Sequence, residues 1–163
     1  MLPEYRTLLE QAVNRKKENK AFLERLKKSR PADLDQTTNR LHDEAFEHID
    51  CLQCGNCCRT TGPLLLSKDV DRLAGHFRIR PAEFTERHLR IDEDGDYVFR
   101  SMPCPFLGGD NYCSVYENRP NACREFPHTQ QRDIREKLGI TYHNTMVCPA
   151  VAEVLERLKA HYR

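Results

Sequence analysis

Apolar residues in the first 50 positions recur at intervals of three and four, the spacing of helices that bury one side. The first stretch begins at Pro3, which suits a first helical turn, and ends where the segment 29–31 (Ser-Arg-Pro) breaks the chain. A second helix is predicted from about Asp33 to His48. This part of the chain contains neither cysteine nor glycine. We therefore predict that residues 1–50 form a helical hairpin.

After residue 50 the pattern predicts shorter elements. The segment 63–66 reads as a short buried strand, Ser67 is expected to cap a helix through about Ala74, and Pro81 to open another through about His88. Two apolar segments flank a turn at 94–95 and predict a β-hairpin. Further along, residues 106–107 and 112–114 predict a tight hairpin, and a helical turn is predicted after Pro120. We then predict a polar helix over about 129–138, closed by Gly139, and an amphipathic helix after Cys148-Pro149.

Composition narrows the functional classes. Hydrophobic residues make up 39% of the chain and tryptophan is absent, so the apolar core is modest for 163 residues. The formal net charge is +1, which indicates no nucleic-acid partner. No apolar run approaches the roughly 20 residues of a membrane span, and the first residues lack the apolar core of a signal peptide. We therefore expect a cytoplasmic protein with neither a membrane nor a nucleic-acid partner.

Cysteine is the residue type that dominates the chemistry of this chain. All eight cysteines follow residue 50: Cys51, Cys54, Cys57, Cys58, Cys104, Cys113, Cys123 and Cys148. In a reducing cytosol disulfides are rare, and clustered cysteines are more often metal ligands. The alternative is a disulfide framework in an exported domain. The missing signal segment and the adjacency of Cys57 and Cys58 disfavour that alternative. We predict that all eight cysteines ligate metal.

The spacing of the first cysteines fits two kinds of metal site. The run from Cys51 to Cys57 has the C-x-x-C-G-x-C form of ferredoxin cluster loops, and Gly55 suits its tight turn because glycine takes positive φ. Cys104 and Cys148 each precede proline, as the last cysteine of a bacterial ferredoxin run does. C-x-x-C-G spacing also makes zinc sites. We favour an iron–sulfur cluster, with zinc as the alternative. The eight cysteines can form two four-cysteine sites, or one such site with four further thiols, and the sequence leaves both arrangements open.

Several residues near the distal cysteines have predicted supporting roles. Arg119 and Arg124 are expected to offset the negative charge of a thiolate centre, or alternatively to bind an anionic substrate. A small core that excludes water from the sulfurs is predicted from four aromatic residues, Phe106, Tyr112, Tyr116 and Phe126. His128 and His143 are expected to have surface or packing roles, since eight thiolates are already present. Among the cysteines, we expect those of the first run to meet Cys123 or Cys148.

The order of these motifs resembles a known family. The opening cysteine run is followed by Cys104-Pro105-Phe106-Leu107, Cys113-Ser114-Val115-Tyr116, Arg119-Pro120, Cys123-Arg124, Phe126-Pro127 and finally Cys148. This arrangement resembles the CxxCxxCC cysteine-cluster family (YkgJ-like), described as a zinc- or iron-chelating domain, over about residues 51–150. The family includes flagellin lysine N-methylases. The resemblance therefore implies metal binding and permits a methyl-transfer role, without assigning an activity to this chain.

Together these observations predict an α+β fold of short helices and small β-hairpins around a cysteine-ligated metal centre. We assign residues 1–50 to an accessory helical hairpin and residues 51–163 to a cysteine-cluster metal-binding domain with a C-terminal helix. The hairpin is expected to pack on that domain, to self-associate or to bind a partner protein. The predicted function is metal binding with a redox or metal-dependent modification role. The alternative is a zinc-stabilised interaction module without catalysis.

Overall fold

The computed structural model describes residues 1–163 and divides them into two compact units. Unit 1 comprises residues 1–54 and 127–163, and unit 2 comprises residues 55–126. Ten α-helices and one two-stranded antiparallel hairpin make up the regular structure, which confirms the predicted α+β class. None of the helices combines the length and the apolar character needed to cross a membrane.

Unit 1 is built from six helices. They are α1 (Pro3–Asn14), α2 (Lys16–Ser29), α3 (Leu34–Phe46), α4 (Cys51–Cys54), α9 (Ile134–Asn144) and α10 (Pro149–His161). The chain's first and third helices pack on α10, and the second packs on α9. Most of the apolar stripe of α1 is thus covered: Tyr5, Leu9 and Ala12 are buried, while Val13 remains exposed.

The first predicted helix is interrupted at Arg15, which separates α1 from α2. The interruption leaves the carbonyl of Ala12 without its usual intrahelical donor, and the side-chain amide of Asn19 donates to that carbonyl at 3.3 Å. Asn19 is itself buried. A side chain one turn into α2 therefore satisfies the backbone at the interruption, which the apolar spacing alone did not indicate.

The predicted polar helix over 129–138 is wrong in its position. The helix α9 begins at Ile134, and Gly139 lies inside it rather than closing it. Thr129, the predicted start, is buried and its hydroxyl pairs with the Nδ1 atom of His42 at 2.8 Å. The start of α9 is set instead by the carboxylate of Asp35, which accepts hydrogen bonds from the N–H groups of Asp133 and Ile134, both at 2.9 Å.

Unit 2 contains the remaining elements. They are α5 (Asn56–Thr60), α6 (Ser67–Phe77), α7 (Pro81–His88), β1 (Leu89–Ile91), β2 (Tyr97–Phe99), a 3-10 turn (Tyr116–Asn118) and α8 (Asn121–Glu125). The strands pair antiparallel with Leu89 opposite Phe99, which confirms the predicted hairpin, and α7 has the predicted bounds. The predicted strand at 63–66 is reduced to a single bridge between Leu65 and Tyr97. The hairpin at 106–114 is likewise a single bridge, between Leu107 and Cys113.

One apolar cluster forms the core of unit 2. Its buried members are Leu65, Val70, Leu73, Ala74, Phe84, Leu89, Phe99, Phe106 and Val115. Cys104 and Cys113 pack against this cluster while remaining partly exposed. These two thiols therefore stand at the edge of an apolar core, a position that is partly desolvated.

Candidate metal centre

Asp50 fixes the start of the first cysteine turn. Its carboxylate accepts a hydrogen bond from the N–H of Leu52 at 2.9 Å, and its carbonyl accepts one from the N–H of Gln53 at 3.1 Å. An aspartate is a favoured residue before a helix because it supplies an acceptor for N–H groups that have no intrahelical partner. The short helix α4 thereby begins at Cys51 and ends at Cys54.

Gly55 occupies the left-handed conformation predicted for it, with φ of +60°. A Cβ at this position would lie 2.9 Å from the Oδ1 atom of Asn111, closer than real Cβ contacts. It would also meet the guanidinium of Arg59, which donates a hydrogen bond to that same oxygen. The left-handed backbone conformation therefore favours glycine in this turn, and a larger residue would also displace the side-chain ends of Asn111 and Arg59.

Four cysteines of unit 2 come from four separate segments. Cys58 lies on α5, and its carbonyl accepts a hydrogen bond from the N–H of Cys104 at 2.8 Å. Cys113 pairs with Leu107 across the tight turn, and Cys123 lies on α8 with its N–H bonded to the carbonyl of Pro120 at 2.9 Å. All four thiols are free and partly buried.

These four thiols lie within electrostatic range of one another. Burial first, and then the charges of Cys58, Cys104 and Cys113, raise the pKa of Cys123 to about 12. Burial raises the pKa of Cys104 to about 11, with Cys58 and Cys113 adding to the effect. The pKa of Cys113 is also raised, by burial and then by Cys58. Ionising the four together is therefore unfavourable unless a cation lies among them.

Cys58 differs from the other three. A hydrogen bond with Cys57 lowers the pKa of Cys58 to about 7, against the effect of burial and with help from the cation of Arg59. The Sγ atoms of Cys57 and Cys58 lie 4.0 Å apart, so these adjacent cysteines are hydrogen-bonded and do not form a disulfide. Cys58 is thus the member of the four that most readily becomes a thiolate.

Unit 1 brings together three cysteines. Cys54 and Cys148 are buried and Cys51 is exposed. Burial raises the pKa of Cys148 to about 12, and the charges of Cys51 and Cys54 add to that shift. Cys148 precedes α10, and its N–H donates to the carbonyl of Asn144 at 2.8 Å. Of the first cysteine run, Cys51 and Cys54 thus stand near Cys148.

The two predicted arginines have different surroundings. The guanidinium of Arg119 lies 3.8 Å from the ring centroid of Tyr116, and its charge lowers the pKa values of both Cys113 and Cys123. The guanidinium of Arg124 instead donates hydrogen bonds to the backbone carbonyls of Glu117 and Arg119. Of these two arginines, Arg119 is therefore the one whose charge acts on the thiols, while Arg124 braces the backbone beside them.

The aromatic residues match their prediction only in part. Phe106 is buried in the core of unit 2. Tyr112 and Tyr116 are exposed by 51% and 45%, and their rings stack with centroids 5.9 Å apart. The prediction that these tyrosines form part of a water-excluding core is wrong. A phenol with a polar tip remains at the surface here because the apolar cluster is already filled by phenylalanine and leucine.

The donor set fits a thiophilic metal in its chemistry. Cysteine sulfur is the ligand that zinc and iron–sulfur clusters use, and the chain has eight cysteines. In this structure no group of three or more His, Cys, Asp or Glu side chains has the arrangement needed to hold a metal ion. The thiols are therefore gathered by the fold, and coordination geometry would require adjustment of their side chains.

Two residues that hold this region were not singled out as functional from the sequence. Asp69 and Arg72, both on α6, bond to the segment that precedes Cys123. Their positions in the sequence show only a carboxylate and an arginine three residues apart on a helix, which is typical of a surface ion pair. No local signal links them to residues some 50 positions away.

Comparison with known proteins agrees with the cysteine pattern. A family model, CxxCxxCC, described as "Putative zinc- or iron-chelating domain", matches residues 50–149. No curated protein and no solved structure gives a significant match. The matched range covers most of the chain and all eight cysteines. The chain therefore belongs to the CxxCxxCC family, whose members are described as zinc- or iron-chelating.

Proposed function

We propose that this protein binds metal through its eight cysteine thiolates, and that unit 2 supplies one complete set of four ligands. The ligands in unit 2 are Cys58, Cys104, Cys113 and Cys123. The observation that carries the proposal is the proximity of these cysteines, although they come from four separate segments. The N–H of Cys104 bonds the carbonyl of Cys58, Cys104 and Cys113 pack against the same apolar cluster, and the thiols influence one another's pKa values. Cys51, Cys54 and Cys148 are the ligands in unit 1, and Cys57 is the eighth.

A purely structural role for the four thiols is the simplest competing explanation. Free cysteine is among the most buried residue types and packs as a small apolar side chain. Only Cys104 and Cys113, however, pack against the apolar core. Apolar packing gives no reason for four thiols from separate segments to lie within electrostatic range of one another. It also gives no reason for two arginines, Arg59 and Arg119, to place cations near them. A negatively charged thiolate centre accounts for both features.

An iron–sulfur cluster is the metal group that the first cysteine run favours. The C-x-x-C-G-x-C run has a left-handed glycine at its turn, and Cys104 and Cys148 precede proline as ferredoxin ligands do. Such a cluster would supply one-electron transfer, and the protein's own residues would set its charge environment. Arg119 is the residue proposed for that electrostatic role, with Arg124 holding the backbone of the same segment.

A zinc-stabilised interaction module is the second candidate. Unit 2 has only two three-residue strands and short helices, and a closed four-cysteine zinc site would cross-link four of its segments. The exposed, stacked pair of Tyr112 and Tyr116 lies next to Cys113 and is a surface that a partner protein would contact. In this case the metal would have a structural role and no catalysis would follow.

Metal and sulfide analysis of anaerobically purified protein distinguishes the two candidates. The iron–sulfur proposal predicts brown protein that contains iron and acid-labile sulfide, while the zinc candidate predicts colourless protein that contains zinc alone. The Cys123→Ser variant should lose the metal held by unit 2. Wild-type protein that contains neither metal after anaerobic purification contradicts both candidates.

A further inference from the structure

A buried carboxylate in unit 2 has no part in the cysteine motifs. Asp69, on α6, is only 2% exposed. Its carboxylate accepts three hydrogen bonds, from the N–H of Leu66 at 3.0 Å, the guanidinium of Arg72 at 2.6 Å and the N–H of Asn121 at 3.0 Å. A buried carboxylate is costly unless it is paired and fully hydrogen-bonded, and Asp69 meets both conditions.

Two of these bonds are local to α6, but the bond to Asn121 spans 52 positions of the sequence. Asn121 is the first residue of α8, and Cys123 follows two positions later. The N–H groups of a helix's first turn have no acceptor within the helix. Asp69 supplies that acceptor and so attaches the start of α8 to α6.

Arg72 also binds the segment that precedes α8, through the backbone carbonyls of that segment. Its guanidinium donates to the carbonyl of Asn118 at 3.3 Å and to that of Arg119 at 2.9 Å. The ion pair with Asp69 orients the guanidinium for these bonds. Together the side chains of Asp69 and Arg72 bind one backbone N–H and two backbone carbonyls of the segment 118–121, which lies between Cys113 and Cys123.

Other bonds hold the residues before Asn121: the side chain of Asn118 pairs with His76 of α6, and Arg124 donates to the carbonyls of Glu117 and Arg119. The bond from the N–H of Asn121 to Asp69 is the one that ties the start of α8 to α6. The helix α8 is five residues long, too short to be stable by itself, and none of its residues is buried. A metal tolerates only small errors in ligand position, of about half an ångström. The place of the Cys123 thiol near Cys104 and Cys113 therefore depends on how the start of α8 is held.

We propose that Asp69 is a positioning residue for the thiol centre of unit 2, acting through its hydrogen bond to the N–H of Asn121. The inference rests on the proposed function, because it assigns to Asp69 a role in holding Cys123 among the metal ligands. It predicts that removing this one backbone hydrogen bond loosens the metal without unfolding the protein.

Substitution at Asn121 removes the bond while leaving Asp69 intact. Asn121→Pro lacks the N–H, and Asn121→Ala keeps it, while both lack the side-chain amide that bonds Glu125. Proline is favourable at the first helical position. Pro120 has φ of −51° and ψ of 150°, the extended conformation that a residue before proline prefers. The two variants therefore differ mainly in the donor to Asp69.

A second pair tests the carboxylate itself. Asp69→Asn removes its charge, and Asp71→Asn makes the same change at an exposed position of the same helix. Full-length wild-type protein and all variants are purified anaerobically with the metal they carry and then challenged with EDTA. Elemental analysis follows the retained metal, with Cys123→Ser marking complete loss from this centre. Hydrogen exchange of the segment 121–125 and circular dichroism are recorded on the same samples before EDTA is added.

We expect Asn121→Pro and Asp69→Asn to release the metal of this centre about tenfold faster than their controls, since residues that orient metal ligands are typically worth 10- to 100-fold in affinity. Exchange in 121–125 should rise, while circular dichroism and the metal held elsewhere stay unchanged. If Asp69→Asn fails to fold, the comparison of Asn121→Pro with Asn121→Ala still tests the inference. Metal retention by Asn121→Pro equal to that of Asn121→Ala overturns the inference and leaves the proposed function standing. A wild-type protein that carries no metal contradicts the proposed function, and this inference with it.

Discussion

The hydroxyl of Tyr5 accepts a hydrogen bond from the N–H of Asp50 at 3.0 Å and donates one to the carbonyl of His48 at 3.2 Å. Tyr5 lies on α1 and is buried, and Asp50 immediately precedes the first cysteine. One phenol thus satisfies both a donor and an acceptor of the backbone that leads into α4. The first helix of the chain therefore helps to fix the position of Cys51.

Removing this hydroxyl should destabilise unit 1. Tyr5→Phe keeps the ring and leaves the N–H of Asp50 and the carbonyl of His48 without that partner, so we expect the free energy of unfolding to fall by about 1–2 kcal/mol. Chemical denaturation measures the change. Tyr112→Phe is the control, because Tyr112 is exposed, and should change the free energy by less than about 0.5 kcal/mol. Equal effects of the two substitutions would contradict the role given to Tyr5.

A second prediction concerns Asp35, whose carboxylate caps the start of α9 from a distant part of the sequence. Asp35→Ala removes the acceptor for the N–H groups of Asp133 and Ile134 and should lower the free energy of unfolding by about 1 kcal/mol, the usual value of a helix cap. Gln36→Ala, at the exposed neighbouring position, is the matched control. Hydrogen exchange at the start of α9 should increase in Asp35→Ala alone. An unchanged exchange rate there would show that the cap does not hold the helix.

The same cap explains why sequence analysis misplaced α9. Residues 129–138 have helical spacing and a following glycine, which are local signals, but the helix begins where a carboxylate 98 positions away provides acceptors. Elements with strong local signals were predicted well. The proline at position 81 opens α7, and apolar segments on both sides of a turn give the hairpin of β1 and β2. Elements that depend on distant side chains could not be read from periodicity.

The candidate site shows the same division between local and distant information. The cysteine run and the left-handed Gly55 were predictable because spacing and conformational preference are local properties. The association of Cys58 with Cys104, Cys113 and Cys123 depends on how four segments fold together, so the sequence left the grouping of the cysteines open. Ser67 was predicted to cap α6, whereas the carboxylate of Asp69 bonds the N–H of Leu66 instead.

His42 predicts how stability in unit 1 depends on pH. Burial lowers the pKa of His42 below its ordinary value, opposed in part by Asp43. As the pH falls, His42 therefore takes up a proton in the unfolded chain before it does so in the folded protein. The contribution of neutral His42 to the free energy of unfolding is thus fully present above the ordinary pKa of about 6.5 and is lost as the pH falls through the pKa of the folded protein. His42→Gln removes the titrating group. The stability advantage of the wild type over this variant should thus shrink between about pH 7 and pH 5.

Denaturation curves of both proteins across this range test the prediction. Burial also lowers the pKa of His88, which titrates in both proteins, so its effect cancels in the difference. Acid release of metal cancels in the same way, because His42→Gln leaves every cysteine in place. A difference between the two proteins that stays constant from pH 8 to pH 5 would show that His42 does not contribute to the acid sensitivity.

Removal of the metal should abolish the tertiary structure of unit 2. Its apolar core has nine buried residues, and its regular elements are short. A structural metal contributes on the order of 10 kcal/mol to folding, which is comparable to the whole stability of a small domain. We expect chelation to lower the thermal midpoint and to abolish the near-ultraviolet circular dichroism of the aromatic residues in unit 2. An unchanged midpoint after verified metal removal would show that the fold does not depend on the metal.

X-ray absorption at the edge of the bound metal tests the central claim most directly. The measurement uses full-length protein purified anaerobically, and it reports the atoms bound to the metal whichever metal is present. Ligation by Cys58, Cys104, Cys113 and Cys123 predicts a first shell of sulfur at about 2.3 Å. A first shell of oxygen or nitrogen at about 2.0–2.2 Å, or protein that contains no metal, would contradict the account.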